Sequence, residues 1–391
     1  MRWPIVTMAA FSLVACGGPN AVTPRGPVAA MQARPDQSNF HVLYNFKGQP
    51  DGSEPGHGPL VVLDGNLYGT TRYGGTHGRG TVFEIKPDGS EKVIYSFAGG
   101  KGDGSNPRAG LVALDGALYG TTENAGSGGA GYGTAFEVTT AGTERVIYNF
   151  DGYTGAYPHS ALFVDAGVLY GTTLNYGKEF DGTLFALTTA GQLKVLYAFG
   201  RKGAGAKPYA GPQFFGGQIY GSTLFGPADE DLSGLVYKQS VTGRPRWLHK
   251  FGLKPGDGAM PHGRLAMLGG VLYGTTDKGG KKHEGTIYKL TTDDGVETVL
   301  HSFERETGSG SVAGLVAYQG SLYGQTVRGG HSDKGVIFKI TPQGEYSVLH
   351  QFYGPDGNEG VSELTAWNGK LYGTTLKGGA HQTGTVFEIT P

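Results

Sequence analysis

Short apolar runs separated by glycine-bearing breaks recur along the chain, and residues 110–150 hold one complete set of four. These runs are "GLVALDG" (110–116), "LYGTT" (118–122), "GTAFEV" (133–138) and "RVIYNF" (145–150). Each has the length, the β-branched or aromatic content and the flanking turn residues of a β-strand. Tight turns at Asp115-Gly116 and Ala141-Gly142 join neighbouring runs. The pattern predicts a four-stranded antiparallel meander.

The run Leu-Tyr-Gly-Thr-Thr, with small changes in two copies, marks this unit seven times. Its tyrosines lie 49 to 53 residues apart, at Tyr68, Tyr119, Tyr170, Tyr220, Tyr273, Tyr323 and Tyr372. Units of this size cannot bury their apolar faces alone and must pack against copies of themselves. We therefore interpret the phrase as scaffold, in which the apolar residues fill the space between units and the glycine lets the next unit approach closely.

The two ends of the chain predict how the units are arranged. The first strand-like run, "HVLYNF" at 41–46, matches the fourth run of a unit, whereas the last, "GTVFEITP" at 384–391, matches the third. A ring in which residues 41–46 complete the last unit leaves no orphan strand, and an open array leaves two. The sequence predicts an all-β, seven-bladed β-propeller over residues 40–391, with four-stranded antiparallel blades closed by the N-terminal strand.

Several repeated polar positions have structural explanations. His249, His301 and His350 occupy a fourth-strand column that holds tyrosine in the other blades, which indicates packing with a polar tip. Aspartates before glycine in the fourth-to-first-strand loops are explained by turn chemistry, at Asp51, Asp103, Asp257 and Asp356. Charges of both signs share one third-strand column, where we expect them to face solvent: Glu84, Glu137, Lys238, Lys289, Lys339 and Glu388.

Composition and charge narrow the possible functions. The chain has 72 glycines among 391 residues, 32 Lys plus Arg and 33 Asp plus Glu. A balanced charge gives no field that would collect nucleic acid, so we expect no nucleic-acid partner. No glycine-rich loop joins a strand to a helix, and neither a serine nucleophile elbow nor a Cys-His pair is present. Phosphate cradling and covalent acyl chemistry are therefore unsupported.

The N-terminus resembles a bacterial lipoprotein signal. The segment has one positive charge at Arg2, followed by an apolar run from Trp3 to Val14. The run ends in the motif Leu13-Val14-Ala15-Cys16, and Cys16 is the only cysteine. The resemblance implies a signal peptide at 1–15 and acyl chains on Cys16, and Gly17 after the cysteine favours the outer membrane of a bacterial cell envelope. Several acyl chains would anchor the protein firmly. Residues 16–39 are rich in Pro, Ala and Gly and are interpreted as the lipidated cysteine and a flexible tether.

The repeat resembles the GloVer-type "choice-of-anchor" tandem-repeat family, whose unit reads LYGTT, then GG, then GTVF. Residues 67–85, "LYGTTRYGGTHGRGTVFEI", and 371–389, "LYGTTLKGGAHQTGTVFEI", carry it almost unbroken, and the resemblance covers about 40–391. The fourth copy departs at Gly226-Pro227 and at 234–237. The resemblance implies a repeat array attached to a membrane or surface anchor, and implies no activity.

One column of residues varies from blade to blade where the scaffold does not. Counting eleven residues back from each repeat tyrosine gives His57, Arg108, His159, Tyr209, His262, Val312 and Val361. Each lies where the chain approaches the first strand of a blade, and in a ring one column points at one axis. Propeller ligands usually lie at that axis, so these polar residues form the predicted site.

The column allows several interpretations. Three imidazoles suit a divalent metal ion. His57, His159, Tyr209 and His262 as acid and base, with Arg108 neutralising a carboxylate, suit a polysaccharide lyase that eliminates a uronate. Arg108, His159, Tyr209 and His262 also suit binding of an anionic glycan or a protein without turnover, and the fourth alternative is that the polar residues share no function. The neighbouring loops add His77, His283, His331 and His381, and Asp229, Glu230 and Asp231 offer oxygen ligands for Ca²⁺.

The sequence-based prediction is an exported, lipid-anchored propeller that binds extracellular glycan or protein. The alternative is a carbohydrate-active enzyme such as a polysaccharide lyase, and whether the protein is an enzyme stays undecided. No metal and no cofactor is specified. We expect a monomer that contacts the membrane through its lipid anchor.

Overall fold

A computed structural model describes residues 39–391, apart from 101, 126–130, 201–204 and 227–232. The predicted signal peptide, Cys16 and nearly all of the tether lie outside the described residues, as do Asp229, Glu230 and Asp231. The described residues form β-strands joined by turns and loops and contain no α-helix. Accordingly, no helix among them is long and apolar enough to cross a membrane.

Seven four-stranded antiparallel blades form a β-propeller, as the repeat predicts. The first strands are Val61–Leu63, Val112–Leu114, Phe163–Asp165, Gln213–Phe215, Ala266–Leu268, Val316–Tyr318 and Thr365–Trp367. The second strands, which contain the LYGTT phrase, are Asn66–Gly74, Ala117–Thr122, Val168–Thr173, Gln218–Thr223, Val271–Thr276, Ser321–Gln325 and Lys370–Thr375.

The outer strands carry the remaining runs of each repeat. The third strands are Thr81–Ile85, Thr134–Thr139, Thr183–Thr188, Leu235–Gln239, Thr286–Leu290, Val336–Ile340 and Thr385–Ile389. The fourth strands of blades one to six are Glu91–Ser96, Glu144–Asn149, Leu193–Ala198, Arg246–Lys250, Glu297–Ser302 and Tyr346–Gln351. Short accessory strands are Gly52–Pro55, Gly104–Ser105, Asn124–Ala125, Gly258–Ala259 and Lys278–Gly279.

The N-terminal strand closes the ring, which confirms the prediction from the chain ends. Phe40–Asn45 pairs antiparallel with Thr385–Ile389 and becomes the fourth strand of the seventh blade. Phe40 is buried there, and its ring lies face to face with that of His350 at a centroid distance of 3.7 Å. The closing strand therefore contributes apolar contact to two blades as well as backbone hydrogen bonds.

The glycine of the LYGTT phrase makes room for an aromatic ring of its own blade. A Cβ built on Gly69 would lie 2.5 Å from Cζ of Phe83, its cross-strand partner, and 2.8 Å from Cδ2 of Leu60. Gly120 stands in the same relation to Phe136 and Leu111. The expectation that this glycine admits the next blade was therefore wrong, because the third-strand aromatic side chain folds across it first.

The third-strand charges are half-buried, so the expectation that they face solvent was also wrong. Tyr68 pairs with Glu84 across the ladder, and its hydroxyl donates to the Glu84 carboxylate at 2.9 Å. In two of the copies that hold lysine, the ammonium lies over the same tyrosine ring, Lys238 over Tyr220 at 5.9 Å and Lys339 over Tyr323 at 5.7 Å. One tyrosine accommodates both signs of charge because its hydroxyl serves an anion and its ring face serves a cation.

Candidate functional site

The residues of the variable column come together at the axis of the propeller. His57, His159, Tyr209, His262 and Val312 line one cavity of about 40 Å³. Arg108 lies next to His57, whose backbone N–H donates to the Arg108 carbonyl at 2.7 Å. We call His57, Arg108, His159, Tyr209 and His262 the axial site. Val361 is buried in the hydrophobic core and adds no polar group.

The segments that lead into the first strands can approach one another closely because a small residue directly follows each column residue. A Cβ on Gly58 would lie 2.2 Å from the backbone nitrogen of Gly110, so only glycine permits this approach of blades one and two. In three blades the LYGTT phrase also holds the backbone beside the column residue of the next blade. The first threonine hydroxyl donates to a carbonyl there, from Thr70 to Ala109 at 2.7 Å, from Thr172 to Ala210 at 3.3 Å and from Thr275 to Ala313 at 3.1 Å.

A second ring of residues surrounds the axial site in a left-handed backbone conformation. These residues, which we call the rim, are Glu54, Asn106, Tyr157, Lys207, Met260, Gly310 and Glu359, with φ between 54° and 64°. Tyr157 illustrates how the conformation is held. Its N–H donates to the Tyr132 carbonyl at 2.9 Å, and its carbonyl accepts from the Leu174 N–H at 3.1 Å. Left-handed φ is costly for non-glycine residues, so these two backbone bonds maintain it.

Glu123 is the electrostatic centre of the site on the side of blades one to three. Its carboxylate lies 3.3 Å from Nε2 of His159, 3.3 Å from Nη2 of Arg72 and 4.0 Å from Nη1 of Arg108. Burial alone would raise the pKa of Glu123, but the hydrogen bond and charge of His159, with the charges of Arg72 and Arg108, lower it. The glutamate is therefore an anion that orients three cationic or basic groups.

Sequence reasoning missed Glu123 and Arg72, although a signal for them exists. Both directly follow an LYGTT phrase, in a column that reads Arg72, Glu123, Leu174, Leu224, Asp277, Val327 and Leu376. The N–H of this residue donates to a rim carbonyl in blade after blade, for example from Glu123 to Asn106 at 3.1 Å. The column is charged only in blades one, two and five, where the axial site is also polar.

Burial favours the neutral form of His57 and His262, and one aromatic ring contacts two of the axial imidazoles. Burial, followed by the charge of Arg108, lowers the pKa of His57 well below its usual value. Burial also lowers the pKa of His262, against the opposing effect of Asp277. The Tyr209 ring packs between the rings of His159 and His262, at centroid distances of 5.4 Å and 4.7 Å. Burial raises the pKa of its hydroxyl.

An ion pair occupies part of the channel, and the cavity left beside it is smaller than a typical ligand pocket. Nη1 of Arg264 lies 3.4 Å from the Glu363 carboxylate, and both residues line the axial cavity. With its amide turned so that the oxygen faces the guanidinium, Gln213 accepts from Nε of the same arginine at 2.7 Å. The remaining 40 Å³ holds a few water molecules, against roughly 300–1,000 Å³ for a typical small-molecule pocket. A ligand of sugar size therefore meets this site at the mouth of the channel.

Aromatic side chains extend the site outward from Tyr157. The Tyr176 ring lies 5.1 Å from that of Tyr132 and 6.3 Å from that of Tyr157. Phe180, in the same loop as Tyr176, is 71% exposed. We call Tyr132, Tyr157, Tyr176 and Phe180 the aromatic patch. Its exposed rings offer an apolar surface with polar hydroxyl groups beside the cationic part of the axial site.

Other sequence-predicted candidates do not join the site. His77, His283, His331 and His381 are exposed, and none of them lines the axial cavity. Nor do the three axial imidazoles form a set of metal-ligating atoms close enough to share an ion, within the part of the chain that the structure describes. The metal interpretation of the axial histidines therefore has no geometric support.

Comparison with known proteins identifies a repeat family and a fold. The family described as the Gloeobacter/Verrucomicrobia repeat matches residues 23–231 and 167–387. No curated protein matches the sequence. Among solved structures, puromycin hydrolase is similar with a TM-score of 0.58 and 13% identity, over 87% of this chain and 52% of that protein.

Two further structures are similar at low identity. A Bacteroides uniformis protein named as a candidate 6-phosphogluconolactonase gives a TM-score of 0.51 and 16% identity, over 79% of this chain and 89% of its own. PorZ of Porphyromonas gingivalis, described as a surface component of a type-IX secretion system, gives 0.54 and 13%, over 89% and 48%. The chain thus spans about half the length of PorZ and of puromycin hydrolase. Similarity at this identity establishes the propeller fold alone.

Proposed function

The chain belongs to the Gloeobacter/Verrucomicrobia repeat family, and from its axial site we propose that it is a binding module for acidic glycans. The observation that carries the proposal is the convergence of His57, His159, Tyr209 and His262, from four different blades, on one cavity beside Arg108. A propeller scaffold by itself suits binding or catalysis, so the choice depends on the chemistry of these groups.

Charge favours an anionic ligand at the channel mouth. Arg72 and Arg108 lie within 4.0 Å of the single carboxylate of Glu123, so one positive charge is left without a neutralising partner in this group. His57 and His262 add N–H donors and gain charge when an anion approaches. A carboxylate of a uronate sugar fits these donors, because arginine and imidazole both bind carboxylate oxygens through charge-assisted hydrogen bonds.

The aromatic patch favours a glycan over other anions. Tyr157 belongs both to the rim and to the patch, so a ligand whose carboxylate lies at the axial site passes over Tyr157 and Tyr176. The flat apolar face of a sugar ring packs well on such rings, while tyrosine hydroxyls bond to its hydroxyl groups. A polymer with alternating carboxylates and apolar sugar faces satisfies both parts of the surface.

A polysaccharide lyase is the second candidate, favoured by the contact between His159 and Glu123. A base within about 3 Å of a sugar proton is required, and an imidazole oriented by a carboxylate is the usual form of such a base. Tyr209, packed against His159, would be the acid. The cavity of about 40 Å³ does not admit a sugar ring, so we place binding first and turnover second.

Calorimetric titration of the purified protein with polygalacturonate, and with the neutral polymer dextran, tests the proposal. We expect binding of polygalacturonate only. Arg108→Gln and Tyr157→Ala should each weaken it about tenfold or more, since contacts at the centre of a site carry most of its free energy. Arg246→Gln, which removes an exposed cation on an outer strand, is the matched control and should bind as the wild type does.

Binding of dextran with equal affinity, or unchanged binding by both axial variants, would refute the glycan proposal. The same mixtures, followed by the ultraviolet absorbance of an unsaturated uronate, test the lyase. If this absorbance grows steadily, and if His159→Gln abolishes the growth, the protein is a lyase and not only a binding module. If no acidic polysaccharide bound, a protein would become the favoured ligand.

We also propose that the protein is exported and held at the outer membrane by lipid on Cys16, with the channel mouth free to meet extracellular polymer. A tether of about twenty residues separates the lipid from the first strand. Cys16→Ser should release the protein from the membrane fraction, because it removes the acyl chains that anchor it. If the membrane fraction is unchanged, the lipoprotein assignment fails.

A further inference from the structure

Four of the blade junctions are built on one plan. At each of these, a tyrosine or histidine of one fourth strand lies beside an aspartate of the loop that follows it and beside the first residue of the next fourth strand. At the junction that closes the ring these residues are Tyr44, Asp51 and Glu91. The Tyr44 hydroxyl donates to Asp51 Oδ2 at 2.8 Å, and the Glu91 carboxyl lies near enough for both residues to affect its pKa. The next junction repeats the set with Tyr95, Asp103 and Glu144.

Two junctions replace both the tyrosine and the glutamate. His301 stacks on Tyr346 at a centroid distance of 3.8 Å, and His350 stacks on Phe40 at 3.7 Å. In each case the residue that begins the next fourth strand is aromatic and covers the imidazole. The sequence-based prediction that these two histidines pack like tyrosines is confirmed.

The junction between blades four and five is different, because histidine replaces tyrosine while both carboxyls stay. His249, Asp257 and Glu297 each offer a ligand atom, and these atoms lie within 4.8 Å of one another. Nε2 of His249 is 3.7 Å from Asp257 Oδ1, too far for a hydrogen bond. That nitrogen and Oε1 of Glu297 are both buried without a hydrogen-bond partner. Buried unpaired groups of this kind are costly, and here they face one another.

We propose that His249, Asp257 and Glu297 bind a divalent transition-metal ion, with Zn²⁺ the best match. One imidazole nitrogen and two carboxylates, completed by water, form an ordinary zinc ligand set with bonds of about 2.0–2.2 Å. Contraction of the present spacing by small side-chain rotations brings the three ligand atoms to those distances. The ion would satisfy the unpaired atoms and join blade four to blade five.

The surroundings favour coordination of a metal ion over simple attraction of a cation. Asp257 is oriented by the N–H groups of Gly252 and Gly258, at 2.9 Å and 2.8 Å, as metal-binding carboxylates usually are. A cavity of about 300 Å³ borders Asp257 and Glu297 and gives an ion a route from solvent. Lys254 and Lys281 line the same cavity and oppose a cation held by charge alone. The imidazole is therefore decisive, which selects Zn²⁺ over Ca²⁺ and Mg²⁺.

Metal content and zinc titration of the purified, chelator-treated protein test this site. We expect one equivalent of Zn²⁺ per chain, and no binding of Ca²⁺ or Mg²⁺. His249→Tyr restores the residue that other junctions carry in this column and should fold normally while losing the equivalent. Glu297→Gln is a second variant that should weaken zinc affinity about tenfold or more.

The chain supplies matched controls. His301→Tyr changes the same column at a junction without two carboxyls, and His262→Gln changes the axial site, so both should retain the equivalent. Tyr95→His places an imidazole beside Asp103 and Glu144 and should add a second equivalent.

The proposal is overturned if the wild type binds no zinc, if His249→Tyr and Glu297→Gln retain it, or if Ca²⁺ binds equally well. Failure of Tyr95→His to gain an equivalent would overturn the claim that junction geometry creates the site. None of these outcomes depends on glycan binding.

Discussion

Glu91 offers a test of blade-junction electrostatics by one isosteric substitution. Its carboxyl is half-buried at the ring-closing junction, beside Asp51 and Tyr44. Burial and then the negative charge of Asp51 raise the pKa of Glu91 from 4.5 to about 7. A carboxyl with a higher pKa in the folded state holds its proton better when folded. It therefore destabilises the fold increasingly as the pH rises through this window.

The size of the effect follows from the pKa. A rise from 4.5 to about 7 corresponds to about 3.4 kcal/mol, at about 1.36 kcal/mol for each pH unit. Because the carboxyl is partly exposed, solvent screening reduces this to about 1–2 kcal/mol. Glutamine keeps the shape and carries no charge. Glu91→Gln should thus raise the free energy of unfolding by about 1–2 kcal/mol at about pH 8, and change it little at about pH 4.5.

Urea denaturation followed by intrinsic fluorescence, at the two pH values, measures the difference. Glu345→Gln, at an exposed position in a turn, is the control and should change stability by no more than about 0.5 kcal/mol at either pH. An equal effect of Glu91→Gln at both pH values, or a loss of stability at the higher pH, would refute the assignment of a buried, destabilising charge to this junction.

Three further predictions concern closure, the rim and the axial site. Phe40→Ala should lower the free energy of unfolding by about 3–5 kcal/mol in urea denaturation, because it removes a buried ring from the closing strand. Leu253→Ala, at an exposed position, is the control and should leave the free energy of unfolding nearly unchanged. Met260→Gly should raise it by about 0.5–1 kcal/mol by relieving a left-handed φ of 56°, and Gly310→Ala should lower it. The affinity for polygalacturonate should increase as the pH falls into the acid range, since an anion raises the low pKa of His57 and binding takes up a proton. His57→Gln should flatten that profile in calorimetric titrations.

The ring and its closure could be predicted from the sequence because both are properties of a repeat. Seven evenly spaced copies specify the number of blades, and unmatched runs at 41–46 and 384–391 require each other. The axial site could be located for a related reason. A fixed distance from a repeated tyrosine is a fixed place in a blade, so the residues of one column converge wherever the blades converge.

Contacts between different columns could not be predicted in the same way. Glu123 belongs to a column next to LYGTT, and its three partners come from blades one, two and three. Asp257 and His249 each looked like an ordinary turn or packing residue within its own column. Only the junction brings them to Glu297, about fifty residues further along the chain. Contacts between different columns depend on how one blade is aligned with the next. A single repeat position, compared from copy to copy, does not contain that information.

The repeated phrase has a functional consequence even though it carries no chemistry. In three blades its first threonine donates to the backbone beside the column residue of the next blade, and in blades two to seven the N–H of the residue that follows the phrase donates to a rim carbonyl. These bonds use hydroxyl and backbone groups, so they place the axial and rim positions without regard to which side chains occupy them. Substitution at Arg108, Tyr157 or Tyr209 should therefore change the chemistry of the site without changing the frame. Within this chain the phrase is kept from blade to blade while the axial and rim side chains change, so the frame and the chemistry of the site are specified by different positions.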